Sequence, residues 1–248
     1  MIYIKNYLLG TLFVFRIIIL FLCLFLHQSL FALSLPKQVK LSTKEWAPYQ
    51  YYNDQGKLVG ISVTLLECSF ERLDIDLIIE VVPWSRAQHH TEFAISDGFF
   101  SASWNESRDK YATRSINIAP QNWVWYTLKE RQIDTSSIEF KRQATIATTR
   151  GSNIAYWLRD NDYNVKAETL DIDSMIKMVL YGRVDALMAN DLVSEGTAYS
   201  ELEMNKLQRT HGRSMPVSVY FGNVFLEKYP SFLAEINQSI KHCLIEGR

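Results

Sequence analysis

Several residue types suited to holding a ligand recur just after stretches that read as β-strands. Trp46 and Tyr49 follow the alternating segment Val39-Lys-Leu-Ser-Thr43, Trp84 and Arg86 follow the apolar run Leu77 to Val82, and Ser101, Ser103 and Arg108 accompany Gly98-Phe-Phe-Ser101. Aromatic rings offer contact area, and a guanidinium offers a planar fork for a carboxylate. Further along, Gly151-Ser152-Asn153 opens a helical pattern, where free backbone N–H groups and the positive dipole end suit an anion. Asn190 and Asp191 end the apolar stretch that begins at Val184. Each group has a plainer role as well: the tryptophans as core, Gly151-Ser152 as a helix cap, Arg108 in a surface ion pair with Glu106 or Asp109. Their shared place at one end of each strand sets them apart, because open α/β sheets bind ligands beyond the carboxyl ends of their strands.

Templates for bond-making chemistry are missing from the sequence. It contains no Gly-x-Ser-x-Gly elbow, phosphate loop or dinucleotide fingerprint. His89, His90 and Glu92 form the best metal candidate, but adjacent helical histidines point about 100° apart, so a solvated helix face is the better reading. Neither a metal nor a cofactor is predicted. Asp171 and Asp173 belong to the start of the following helix, where acids oppose the dipole and Asp173 can cap. The Asn-x-Ser patterns at Asn105 and Asn237 are too short to carry weight.

The elements that must position these groups alternate in type. A strand at Val39–Thr43, an aromatic loop kept out of a helix by Pro48, a turn at Asn53–Gly56, a helix over Ile61–Leu73 and a strand at Leu77–Val82 begin an α/β pattern. A short helix over Ser85–Phe93, a strand at Gly98–Ser101 and a polar loop leading into Glu106–Lys110 follow. After a polar surface connection over Lys129–Ser137 the grammar restarts: strands at Ala144–Thr148, Val165–Leu170 and Val184–Met188, with helices over Gly151–Arg159, Asp173–Tyr181 and Leu192–Leu202. An amphipathic helix over Phe232–Ile245 closes the chain.

Composition narrows the function classes. Among 248 residues, 26 Lys+Arg nearly balance 27 Asp+Glu, which argues against nucleic acid as the main partner, since phosphate neutralisation needs clustered cations. Residues 1–34 differ from the rest: they hold only Lys5 and Arg16 as charges, an apolar core over Ile17–Leu26 and the small-residue ending Ala32-Leu-Ser34. That order predicts a secretory signal peptide, an uncleaved membrane anchor being the competing reading. Cleavage removes two cations and shifts the formal charge from −1 to −3. Of three cysteines, Cys68 and Cys243 remain in an oxidising compartment, as a disulfide or as two separate buried thiols.

Read together, Trp46-Ala-Pro-Tyr49, Asp54-x-Gly56-Lys-Leu-Val-Gly60-Ile-Ser-Val, Pro83-Trp84-Ser-Arg86-Ala, Asp97-Gly-Phe-Phe-Ser101 with Arg108, Arg150-Gly-Ser152 and Gly182-Arg-Val-Asp185-Ala resemble the bacterial extracellular solute-binding proteins of the polar amino acid ABC transport type. The resemblance implies a two-lobed type II periplasmic binding architecture of class α/β. Lobe one would span 35–118 plus 214–248 and lobe two 119–213, with ligand captured as the lobes close about two crossovers. The chain's return to lobe one would bring Cys243 towards Cys68. By position, Arg108 would grip a ligand carboxylate, Trp46 and Trp84 would sandwich the ligand, Ser101 and Ser103 would meet its polar groups, and Ser152 with Asn153 would add carboxylate contacts from lobe two. The family's usual aspartate for a ligand ammonium is Asn190 here, and Asp191 lies one residue later, which on a strand points to the other face and substitutes only if the strand has already ended. The implied role is that of a monomeric periplasmic protein handing a small carboxylate-bearing molecule to an ABC transporter permease or other membrane partner. Rival roles are an enzyme on the same scaffold, a dehydratase or peptidoglycan lyase using Asp191 or Glu45, and a sensor acting through a membrane kinase.

Overall fold

Short β-rich runs alternating with amphipathic helices build two sheets, each covered on both faces by helices or loops. The computed structural model describes residues 35–191 and 199–247. The expected signal peptide and most of the helix expected over Leu192–Leu202 therefore lie outside the described residues. Among the described residues no helix is long and apolar enough to cross a membrane.

The chain begins with β1 (Gln38–Thr43), the small hairpin β2 (Tyr51–Tyr52) and β3 (Leu58–Val59), α1 (Ile61–Glu71), β4 (Asp76–Val81), α2 (Trp84–Glu92), β5 (Gly98–Ser103), α3 (Glu106–Asp109) and β6 (Ala112–Ala119). It then crosses into β7 (Asn122–Leu128), a 3-10 turn at Lys129–Arg131, α4 (Ile138–Gln143), β8 (Thr145–Thr149), α5 (Asn153–Asp160), β9 (Asn164–Thr169), α6 (Ile172–Leu180) and β10 (Ala186–Asn190). After α7 (Glu201–Met204) and β11 (Leu207–Ser214) it returns through β12 (Val217–Gly222), α8 (Asn223–Lys228) and α9 (Phe232–Glu246).

The first sheet has the order β4-β1-β5-β12-β6 and the second β11-β7-β10-β8-β9. β1 runs parallel to β4 and β5, and β8 runs parallel to β9 and β10. β12, reached only after the second sheet is complete, inserts antiparallel between β5 and β6. Two lobes are thus joined by two short crossovers, β6 to β7 and β11 to β12, which touch where Met215 N–H donates to the Gln121 carbonyl at 2.8 Å.

In lobe one, α1 and α9 cover one sheet face through Leu66, Phe70, Phe232, Ile236 and Ile240, which pack with Leu41, Phe100 and Phe221. Here Cys68 and Cys243 are bonded, tying α1 to α9 across 175 residues. The other face buries Phe99, Ala102 and Tyr220 beneath Ala87 of α2. Gly98 is required where β5 meets β12, because a Cβ there would lie 2.5 Å from the Tyr220 carbonyl oxygen. In lobe two, β7 alternates: Trp123 and Trp125 pack towards α4 and α5, while Val124 and Tyr126 pack towards α6. This period of two is what a central strand covered on both faces requires.

Differences from the sequence reading are local. The polar segment after Leu128 contains the 3-10 turn and, from Ser137, the cap of α4, whose Phe140 anchors it in the core. Asp171, not Asp173, caps α6, its carboxylate accepting from Ser174 N–H at 2.7 Å. Asp173 instead lies inside the first turn. His90 is half-buried with Nδ1 3.1 Å from Glu80 Oε2, so it is more enclosed than a solvated face requires. Among the described residues no group of three or more His, Cys, Asp and Glu side chains is placed to hold a metal.

Candidate functional site

The carboxyl ends of five strands converge on one cavity of about 470 Å³ between the lobes. Lys44 follows β1, Ser103 ends β5, Arg150 follows β8, Leu170 follows β9 and Asn190 ends β10, and all five line it. Eight of the eleven residues predicted from sequence share this lining: Trp46, Trp84, Ser101, Ser103, Arg108, Ser152, Asn153 and Asn190.

Arg108 is 5% exposed, in a cage of rings. Its guanidinium carbon lies 5.2 Å from the centroid of Trp84, 5.8 Å from Phe99 and 5.9 Å from Tyr220. Its Nε donates to Gln88 Oε1 at 3.0 Å and Nη1 to the Ser103 carbonyl at 2.5 Å, so neutral groups fix its orientation. It forms no ion pair among the described residues. The surface pair with Glu106 or Asp109 is therefore not made; Asp109 accepts from the Trp104 indole instead. Burial lowers the Arg108 pKa, opposed by Tyr220, Tyr111 and Asp109, but an arginine stays cationic at any physiological pH. A caged cation with spare N–H donors is suited to a carboxylate.

Ser101, at φ 57°, directs its hydroxyl inward, donating to Gln50 Oε1 at 2.6 Å and lying 2.9 Å from Ser62 Oγ. Ser103 Oγ accepts from Asn153 Nδ2 at 2.8 Å, and Asn153 Oδ1 accepts from Asn105 Nδ2 at 3.0 Å. Asn153 thus bridges the lobes across the mouth of the cleft. Ser152 caps α5 by accepting from Ala155 N–H at 3.1 Å while donating to the Thr149 carbonyl.

Three predicted residues fall outside the cavity lining. Tyr49 is fully buried, and its hydroxyl donates to the Pro120 carbonyl at 2.9 Å, linking the Trp46 loop to the first crossover. Burial, with the Asp191 charge adding to it, pushes its pKa far up. Arg86 lies two residues past Trp84 on α2, a rotation of about 200° that places it on the exposed side. Asp191 is buried, and its carboxylate accepts from Asn122 N–H at 3.1 Å and Asn122 Nδ2 at 2.7 Å, with Arg209 3.9 Å away. Its charge is directed to the crossover rather than to the cavity.

Sequence reasoning missed Lys44, Gln121, Trp123, Arg150 and Asp171, which also line the cavity. Lys44 is half-buried, with Nζ 5.0 Å from the Trp46 ring centroid, and burial lowers its pKa. Gln121 Oε1 and Asn190 Oδ1 are amide oxygens sealed from solvent, with no hydrogen-bond partner among the described residues. Asp171 is the one carboxylate among the described lining residues, and both its oxygens accept from Ser174. Glu45 is exposed and outside the lining.

No protein-family model matches the sequence, and no curated protein matches it. Solved structures do match. The sensor domain of a histidine kinase with similarity to periplasmic binding proteins superposes with a TM-score of 0.69 at 14% identity, covering 86% of this chain and 92% of that one. An ancestral arginine-binding protein bound to arginine gives 0.64 at 17% identity over 86% of this chain and 95% of that one. A substrate-binding protein of an ABC uptake transporter from Streptococcus pneumoniae, with bound histidine, gives 0.66 at 13% identity over 85% and 88%. Similarity at these identities establishes the fold, which is that of the type II periplasmic binding proteins.

Proposed function

We propose that the protein is a periplasmic solute-binding protein that captures a small carboxylate-bearing molecule between its lobes and delivers it to a membrane ABC transporter. The observation that carries this reading is Arg108: a buried cation, oriented by neutral partners and paired with no carboxylate among the described residues, in a cavity lined by both lobes. Keeping a charge in such a place is costly unless an anion joins it. Trp46 and Trp84 flank the same space with ring surface, and Asn153 borders it from lobe two while bonded to Ser103 and Asn105 of lobe one. Binding rather than turnover is favoured by the acids: Asp191 is held by Asn122, Glu45 lies outside the lining, and Asp171 is engaged as a helix cap. The likeness to a histidine kinase sensor domain over 86% of the chain favours, as a second reading, a ligand reporter for a membrane kinase.

A thermal-shift screen of amino acids and small carboxylates, followed by calorimetry, tests the binding step. A true ligand at 100 times its dissociation constant adds about 2.7 kcal/mol of stability. Arg108→Ala is expected to weaken that ligand about ten-fold or more, since charge-assisted hydrogen bonds contribute roughly 1.5 to 3 kcal/mol. Unchanged affinity would remove Arg108 as the anchor.

A further inference from the structure

The polar groups facing the cavity are unbalanced in sign. Lys44, Arg108 and Arg150 contribute three cations, and Asp171 is the one described carboxylate opposite them. Arg150 is exposed and donates to the Glu168 carbonyl at 3.3 Å, so it belongs to the rim. Lys44 and Arg108 lie deeper, and neither forms an ion pair among the described residues. Lys44 rests its ammonium against the face of Trp46, a contact that orients a cation without neutralising it. Burial alone disfavours the charged form of each, which an anion seated beside it would offset.

The groups available for a ligand's third polar substituent are neutral. Asn190 occupies the end of β10 and Gln121 the first crossover, and both border the cavity with a neutral amide. An amide can meet a hydroxyl in either orientation, as donor or as acceptor. It cannot compensate the charge of an ammonium, and the neighbouring Asp191 carboxylate is held at Asn122. Asp171 is exposed, accepts twice from Ser174 and has its charge opposed by the α6 N-terminus.

Resting on the solute-binding reading above, we infer that the cleft takes a dianionic acid that carries a hydroxyl and no ammonium, with Arg108 and Lys44 answering the two charges and Asn190 and Gln121 the hydroxyl. A free α-amino acid would bring an ammonium to a neutral amide at position 190, with the one described lining carboxylate, Asp171, already engaged as the cap of α6.

Calorimetry on protein expressed from the full sequence decides this with matched probes. Malate and aspartate share one skeleton, as do α-hydroxyglutarate and glutamate, so each pair exchanges only hydroxyl for ammonium. Monoacids α-hydroxybutyrate and α-hydroxyvalerate keep the hydroxyl and lose the second carboxylate. At least one hydroxy diacid is expected to bind about ten-fold or more tightly than both its amino partner and its monoacid partner. Lys44→Gln should abolish the margin over the monoacid, and Lys44→Arg should keep it. An amino acid that binds as tightly as the hydroxy diacids overturns the inference while leaving the solute-binding reading intact. A margin unchanged in Lys44→Gln, or lost equally in Lys44→Arg, overturns the role of Lys44. Absence of binding by every one of these acids and by the standard amino acids overturns both readings.

Discussion

Asn190 and Asp191 are neighbours, yet their side chains meet different surroundings. Asn190 lines the cavity, and Asp191 turns to Asn122 and the crossover. β10 ends at Asn190, and Asp191 opens the turn beyond it, where its N–H donates to the Asn122 carbonyl at 2.9 Å and its carboxylate accepts from the same residue, which places the negative charge outside the cleft. Asn190→Asp should therefore return a carboxylate to the cavity. The expected outcome is an aspartate or glutamate affinity raised about ten-fold relative to the matching hydroxy acid, read by calorimetry on the variant. A ratio that does not move would mean that position 190 does not face the ligand. The sequence already exposed this offset, and it exposed Arg108, Trp46 and Trp84 through their shared place after strands. Lys44 obeys the same rule, one residue past β1, and could have been found by it. Gln121 could not, because it sits in a crossover whose approach to the cavity depends on how two lobes fold against each other. Tyr49 followed the rule and still missed the cavity, since its ring turns under Trp46 to reach Pro120.

Elements with strong local patterns, such as β1, α1, β5 and α9, were readable within a few residues because periodicity and burial coincide. The strands β6, β7, β11 and β12 are not legible in the sequence, although they supply the crossovers: β11 has a largely polar sequence, and β12 inserts between strands far away in the chain. Register of that kind is tertiary information. The bond between Cys68 and Cys243 fastens the last helix to the first across 175 residues. Loss of such a long closure typically costs about 2 to 4 kcal/mol, so reduction or the double variant Cys68→Ser with Cys243→Ser should lower the denaturant midpoint accordingly. An unchanged midpoint would show that α9 holds by packing alone. In lobe two, Asp185 fixes the start of β8, accepting from Thr145 N–H at 2.8 Å, Thr145 Oγ1 at 2.6 Å and Arg131 at 2.5 Å. Burial pushes its pKa up, but the Thr145 bonds and the Arg131 charge outweigh this and hold it below the usual aspartate value. A depressed carboxyl stabilises the fold above its unfolded pKa, near about 3.9, and that contribution is lost as pH falls through the lower folded pKa. Asp185→Asn should thus lower stability at neutral pH and flatten the acid limb of a stability-against-pH curve; an identical acid limb would discount the site.

At the scale of the whole molecule, two features oppose each other. The crossovers are pinned by contacts to each other and to the segments beside them: Met215 to Gln121, Tyr49 to Pro120, and Asn122 to Asp191. Across the cleft mouth, by contrast, Asn153 joins lobe two to lobe one through its hydrogen bonds with Ser103 and Asn105. Each contributes about 1 kcal/mol net, so the pair holds the lobes together by an amount that thermal opening can overcome. A ligand that touches both sides supplies the remaining preference, which is how a binding event becomes a change of shape that a membrane partner can read. Asn153→Ala removes both contacts while sparing the Ser152 cap of α5. Small-angle scattering on the ligand-free variant should then give a larger radius of gyration than the parent protein, with far-ultraviolet dichroism unchanged. Equal radii would mean that the crossovers alone set the angle between the lobes, and closure would have to be sought in the ligand's contacts rather than in Asn153.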